Sequence, residues 1–212
     1  MEDIFSPFSS ALANFFVHCN YPDTYEKPVA LKHCDDFNVA QSIEKWLQWE
    51  DGSIIISAKN IKHADPSGLV LIKRSSAEIT YSVHLKNVCY KRLVLAKELC
   101  HLVIQSLDYD NIIDVSQFLV SVTRHDGVGG FYDHNTSQGR REAAAQLMAE
   151  HLLVPWFENE KILKSSQSNY ELAVEYRVPE SIIEYRRTVK EDWLANMIKQ
   201  DYEKALNQYQ NS

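Results

Sequence analysis

The chain has 212 residues, 45% hydrophobic and 24% charged, with only six Gly and six Pro. That make-up suits one globular domain with a full core and a small appendage, not a disordered or fibrous segment. A net charge of -7 argues against broad binding to nucleic acid or an anionic membrane. Met1-Glu2-Asp3 is acidic where a signal peptide would be basic, and no apolar run reaches the length of a membrane span. Cys19, Cys34, Cys89 and Cys100 are scattered, as suits reduced thiols. The expectation is a soluble cytoplasmic protein.

In chain order, an aromatic-rich opening interrupted by Pro7, Pro22 and Pro28 predicts one short helix over 8–18 and then a loop. Asp35 and Asp36 cap a predicted helix running to Trp49, with Val39, Ile43, Trp46 and Leu47 on its apolar face, and Asp51-Gly52 then turns the chain. Three strands are expected over 53–57, 69–73 and 79–83, with turn residues His63 to Gly68 between the first two. From Tyr90 to Leu107 the chain is strongly apolar and lacks Gly and Pro, which predicts a largely buried helix. A helix over 112–123, a glycine-containing loop from Asp126 to Gly139, and helices over 137–153, 157–164, 168–176 and 180–208 follow, with Pro155 and Pro179 as boundaries. Sheet first and helices afterwards give an α+β domain: a small antiparallel or mixed sheet of about three strands beside a mostly helical body. Three parts are expected: an N-terminal helical segment over 1–52, the main domain over 53–190 and a C-terminal helix over 191–212.

The stretch Leu95-Ala96-Lys97-Glu98-Leu99-Cys100-His101-Leu102 carries the chemistry. In H-E-x-x-H helices, two His one turn apart bind zinc and the Glu between them acts as general base on metal-bound water. Glu98 and His101 keep that spacing, while Lys97 stands at the first ligand position. An ammonium has no lone pair for a metal, and deprotonating a Lys at pH 7 costs about 4–5 kcal/mol. A third ligand would have to come from elsewhere, and Glu142 is the candidate. Three Ala follow it, leaving room for a neighbouring helix to approach. The ammonium of Lys97 offers a second arrangement, in which it fills the site itself, paired with Glu142 or Glu98.

Together these segments resemble the ImmA/IrrE-type metallopeptidases. Leu95 to Leu102 is similar to their L-A-H-E-L-G-H-L helix, and Glu142 to Pro155 is similar to their later E-x-x-A-N-x-F-A-x-x-L-L-M-P helix. Leu172 to Ile183 is similar to their L-A-x-x-F-x-V-S tail, and the strand at 79–83 also suits the family layout. The resemblance implies a zincin-like fold, zinc ligation by His101 and Glu142 with Glu98 as general base, and a regulatory role toward a protein partner, a helix-turn-helix repressor or a toxin–antitoxin component, often in mobile elements. Lys97, Cys100 and Gln146 depart from its pattern, replacing a His, a Gly and an Asn. Three readings stay open: an impaired or inactive peptidase-like regulator without metal, an active zinc endopeptidase, and a DNA-binding or scaffold protein.

Other features have plainer readings. His125 and His134 are loop residues, and His134 is the substitute ligand to consider. His151, nine residues after Glu142, reads as a structural or surface residue. His18-Cys19 and His33-Cys34 lack the C-x-x-C spacing of a zinc site. Leu172 to Ile183 followed by Arg186-Arg187 has a helix-turn-helix outline, but surrounding Glu residues offset its Arg, so nucleic acid is not the expected partner.

Overall fold

A computed structural model describes residues 2–19, 54–59, 68–72, 76–106, 137–188 and 193–211. Helix α1 spans Glu2–Cys19 and begins earlier than expected. Pro7 falls in its second turn, past the four N–H groups that have no intrahelical partner, so its missing N–H leaves one gap in the hydrogen-bond ladder. The predicted helices over 35–49 and 112–123, the loop between 126 and 136, and His33-Cys34, His125 and His134 lie outside the described residues.

Strands β1 (Ile54–Lys59), β2 (Gly68–Ile72) and β3 (Ala77–Ser82) form one sheet in the order β1-β3-β2. β3 pairs parallel with β1 and antiparallel with β2, so the sheet is mixed and the first two strands in sequence are not neighbours. Gly68, read from the sequence as the end of a turn, is the first residue of β2. Alternation sends Ala77 and Ile79 into the core. The same alternation leaves Ile55 and Leu71 exposed on either side of Glu78, which pairs with Lys59 at 2.6 Å.

Helix α2 (Val88–Ser106) starts two residues before the expected Tyr90 because Asn87 caps it. Its side-chain Oδ1 accepts from the backbone N–H groups of Cys89 (2.9 Å) and Tyr90 (3.2 Å). Helix α3 (Ser137–Leu153) packs along α2, and β2 and β3 also lie against α2. The interior between the two helices is made of small and medium residues, with Ala96, Leu99, Ala144, Ala145, Met148 and Ala149 all buried.

After Pro155 a 3-10 turn (Trp156–Glu158) leads into α4 (Asn159–Lys164), where a single helix was expected. Helix α5 (Asn169–Tyr176) opens on a capping box between Ser168 and Glu171. It ends with Arg177 in the left-handed region at φ 52°. There the Val178 N–H reaches the Ala173 carbonyl at 3.0 Å, and the buried Arg92 of α2 donates to the Tyr176 carbonyl at 2.6 Å. Helices α6 (Glu180–Thr188) and α7 (Trp193–Gln210) occupy the expected 180–208 span, with 189–192 outside the described residues. α7 packs along α1, and Trp156 joins them to the rest, its ring 5.1 Å from both Phe16 and Tyr202. The fold is α+β, a three-stranded mixed sheet beside a mostly helical body.

Candidate active site

Lys97, Glu98 and His101 lie on α2, and Glu142 faces them from α3. Residues 97 and 101 are one turn apart, so their side chains share a face of the helix. They do not form a solvent stripe: the Lys97 and His101 side chains are each 15% exposed and that of Glu98 6%. α3 begins at Ser137, so Glu142 sits in its second turn, beyond most of the pull of the helix dipole. What orients Glu142 is its partners. Its Oε2 accepts from Lys97 Nζ at 2.8 Å, and its Oε1 lies 3.3 Å from His101 Nε2. Glu98 Oε1 lies 3.5 Å from the same ammonium. One carboxylate from α3 thus spans two side chains of α2, and one ammonium faces two carboxylates.

The surroundings separate the two carboxylates. Burial pushes the Glu98 carboxyl above its ordinary value, and the Lys97 and His101 charges oppose this without cancelling it. Burial would also raise Glu142, but the His101 hydrogen bond and the Lys97 ammonium outweigh it and bring that carboxyl down to about 2.

Sequence reasoning found the strand at 69–73 but not that it lies behind the site. Gly68 opens β2 directly against α2: a Cβ there would lie 2.6 Å from Val94 Cγ1, 2.9 Å from Glu98 Cγ and 3.0 Å from Glu98 Oε1. The only sequence signal was a lone glycine at a strand start, which marks close backbone approach without saying to what.

Zinc is bound by neutral imidazole, thiolate or carboxylate. His101 and Glu142 are of the right types and lie together, but Lys97 offers no lone pair, and its ammonium takes one oxygen of Glu142. Cys100 is fully buried, and burial pushes its thiol well above the ordinary value, away from the thiolate a metal needs. Among the described residues no group of three or more His, Cys, Asp or Glu could hold a metal ion. Among the described residues, the donors at this place do not make up a zinc site.

Among the described residues, the other candidates make contacts within the protein. His151 is buried, and its Nδ1 lies 3.1 Å from Arg186 Nη2, which also donates to the Val154 carbonyl at 3.2 Å. Arg187 donates to the Ile162 and Ser165 carbonyls and to Asn169 Oδ1, the last at 2.9 Å. Arg177 and Arg186 are buried, while Glu180 and Glu184 are exposed. In the helix pair α5–α6, Arg177 and Arg186 thus lie in the protein interior, and the partly buried Arg187 donates inward to backbone carbonyls. No described helix is long and apolar enough to cross a membrane.

The structure thus sets a three-stranded mixed sheet against a helix carrying E-x-x-H, with a carboxylate facing it from the neighbouring helix. Residues 64–188 match the family model of the IrrE N-terminal-like domain, a peptidase family, and the chain belongs to that family. The matched span begins after β1 and ends with α6. No curated protein and no solved structure matches the chain.

Proposed function

We propose that this chain is a regulatory protein of the IrrE type that has given up zinc-dependent peptide hydrolysis and acts by binding a protein partner. The resemblance of its helices to the ImmA/IrrE-type peptidases points to a helix-turn-helix repressor or a toxin–antitoxin component as that partner. The observation that carries the loss of hydrolysis is the 2.8 Å contact between Lys97 Nζ and Glu142 Oε2. A cation with no lone pair stands where the resemblance calls for a ligand, and it engages the carboxylate that would serve as another. Without a metal to acidify water, a carboxylate such as Glu98 is too weak a base to generate hydroxide near pH 7. Glu98 instead helps to neutralise Lys97.

A second reading keeps the enzyme. Glu98, His101 and Glu142 still stand together, and a ligand from outside the described residues would complete an active zinc endopeptidase with Glu98 as general base. Incubating the purified chain with a helix-turn-helix repressor encoded beside it separates the two. Co-elution of the intact repressor with the chain on size exclusion, zinc present or absent, is the expected result. Cleavage of the repressor that disappears in Glu98→Gln would establish the enzyme reading instead.

A further inference from the structure

We infer that the Lys97 ammonium is a built-in structural cation, taking the place of a metal ion as the link between α2 and α3. This rests on the reading above only in that both treat position 97 as no metal ligand. A metal held by side chains from two helices ties them together because one positive centre faces donors on both. Lys97 provides the positive centre from the chain itself. Its Nζ lies 2.8 Å from Glu142 Oε2 on α3 and 3.5 Å from Glu98 Oε1 on its own helix.

The second half of the link is His101. Glu142 Oε1 lies 3.3 Å from His101 Nε2, and a carboxylate at that distance calls for an N–H on the imidazole. A zinc ion bound through Nε2 would need that nitrogen bare. Both Glu142 oxygens are thus engaged, and the ammonium is set between two carboxylates. At 15% exposure the Lys97 side chain is largely withdrawn from water, where a cation without a counter-charge would be disfavoured. β2 closes the far side by laying Gly68 against Glu98. Removing the ammonium leaves Glu98 and Glu142 without the Lys97 charge that they share, beside the His101 imidazole. That is a set of groups which an added divalent cation can satisfy.

Thermal and urea unfolding of the full-length chain, with zinc or with a chelator, tests this. The wild type is expected to contain no stoichiometric zinc and to melt at the same temperature in zinc and in chelator. Lys97→Met is expected to lower the ratio of folded to unfolded protein by about 10–100-fold in chelator, as expected for breaking a partly buried ion pair. Zinc should recover a measurable part of that loss. Should Lys97→Met fail to fold in chelator, the double variant Lys97→Met/Glu142→Gln, which removes both charges, is expected to fold and to lose its response to zinc. Wild-type protein carrying one zinc per chain, wild-type melting that falls in chelator, or a Lys97→Met variant as stable as wild type would each overturn the inference. No partner and no proteolysis enter these measurements. A chain that binds no repressor can pass, and one that binds a repressor can fail.

Discussion

Glu98 and Glu142 share one ammonium, yet folding moves their acidities in opposite directions, and stability should follow each with its own sign. The Glu142 carboxyl is held at about 2, below its value of about 4.3 in an unfolded chain. Between those values the unfolded chain binds more protons, so stability rises with pH. The contribution is complete above the unfolded value and disappears as pH falls toward 2. Glu98 is raised, so just above the ordinary carboxylate range the folded chain binds more protons and stability falls as pH rises. Relative to wild type, Glu142→Gln should therefore destabilise at neutral pH, on the order of 1–3 kcal/mol allowing for its partial exposure, and the difference should shrink in acid. Glu98→Gln should lose less at neutral pH than Glu142→Gln. Urea unfolding of the three proteins from pH 3 to pH 7 checks this, and parallel pH profiles would contradict it. That these four side chains meet was legible in part, because helical spacing brings 97, 98 and 101 together and a second motif pointed to Glu142. Which carboxylate the ammonium chooses, and that His101 shares it, depends on how α3 lies on α2. No local pattern encodes that.

At the scale of elements, the helices were more legible than the sheet. Apolar periodicity and the prolines at 155 and 179 act within a few residues of the boundaries they set, whereas the caps Asn87 and Ser168 were not read from the sequence. Strand order is different, since it depends on partners distant in sequence. β3 slots between β1 and β2, so an alternating pattern that identified three strands could not say which pairs would form. Gly68 shows the same limit, because its importance comes from Val94 and Glu98, which follow it by many residues. Gly68→Ala should push β2 away from α2, since the new Cβ would stand 2.6 Å from Val94 Cγ1. Overpacking of this kind costs about 1–3 kcal/mol. Adding Val94→Ala removes the nearest obstacle, so the double variant should lose less than the sum of the two single changes. Urea midpoints of the four proteins give the answer, and strict additivity would mean that β2 does not press on α2 there.

Over the whole molecule, the family span from 64 to 188 leaves out α1 and α7, yet both helices finish its core. Phe15 and Phe16 of α1 are buried with residues of α2 and α3 in one continuous cluster, and Trp156 is held between Phe16 and Tyr202. The pair is fastened by polar contacts as well. Ser9, fully buried, donates to Asp201 Oδ2 at 2.5 Å, Ser10 donates to the same oxygen at 3.1 Å, and Lys204 reaches Asp201 Oδ1 at 3.1 Å. Removing the acceptor takes from the buried Ser9 hydroxyl its bond to a charged partner, a loss on the order of 1–3 kcal/mol, whereas removing the hydroxyl leaves Asp201 with Ser10 and Lys204 still beside it. Asp201→Ala should therefore destabilise more than Ser9→Ala, and the double variant should lose less than the sum, with a coupling of about 1 kcal/mol. Because Trp156 lies at the junction, its fluorescence should change in the same transition that melts the helices. A separate earlier fluorescence transition, or zero coupling between residues 9 and 201, would show that α1 and α7 are an attachment to the family fold and no part of its core.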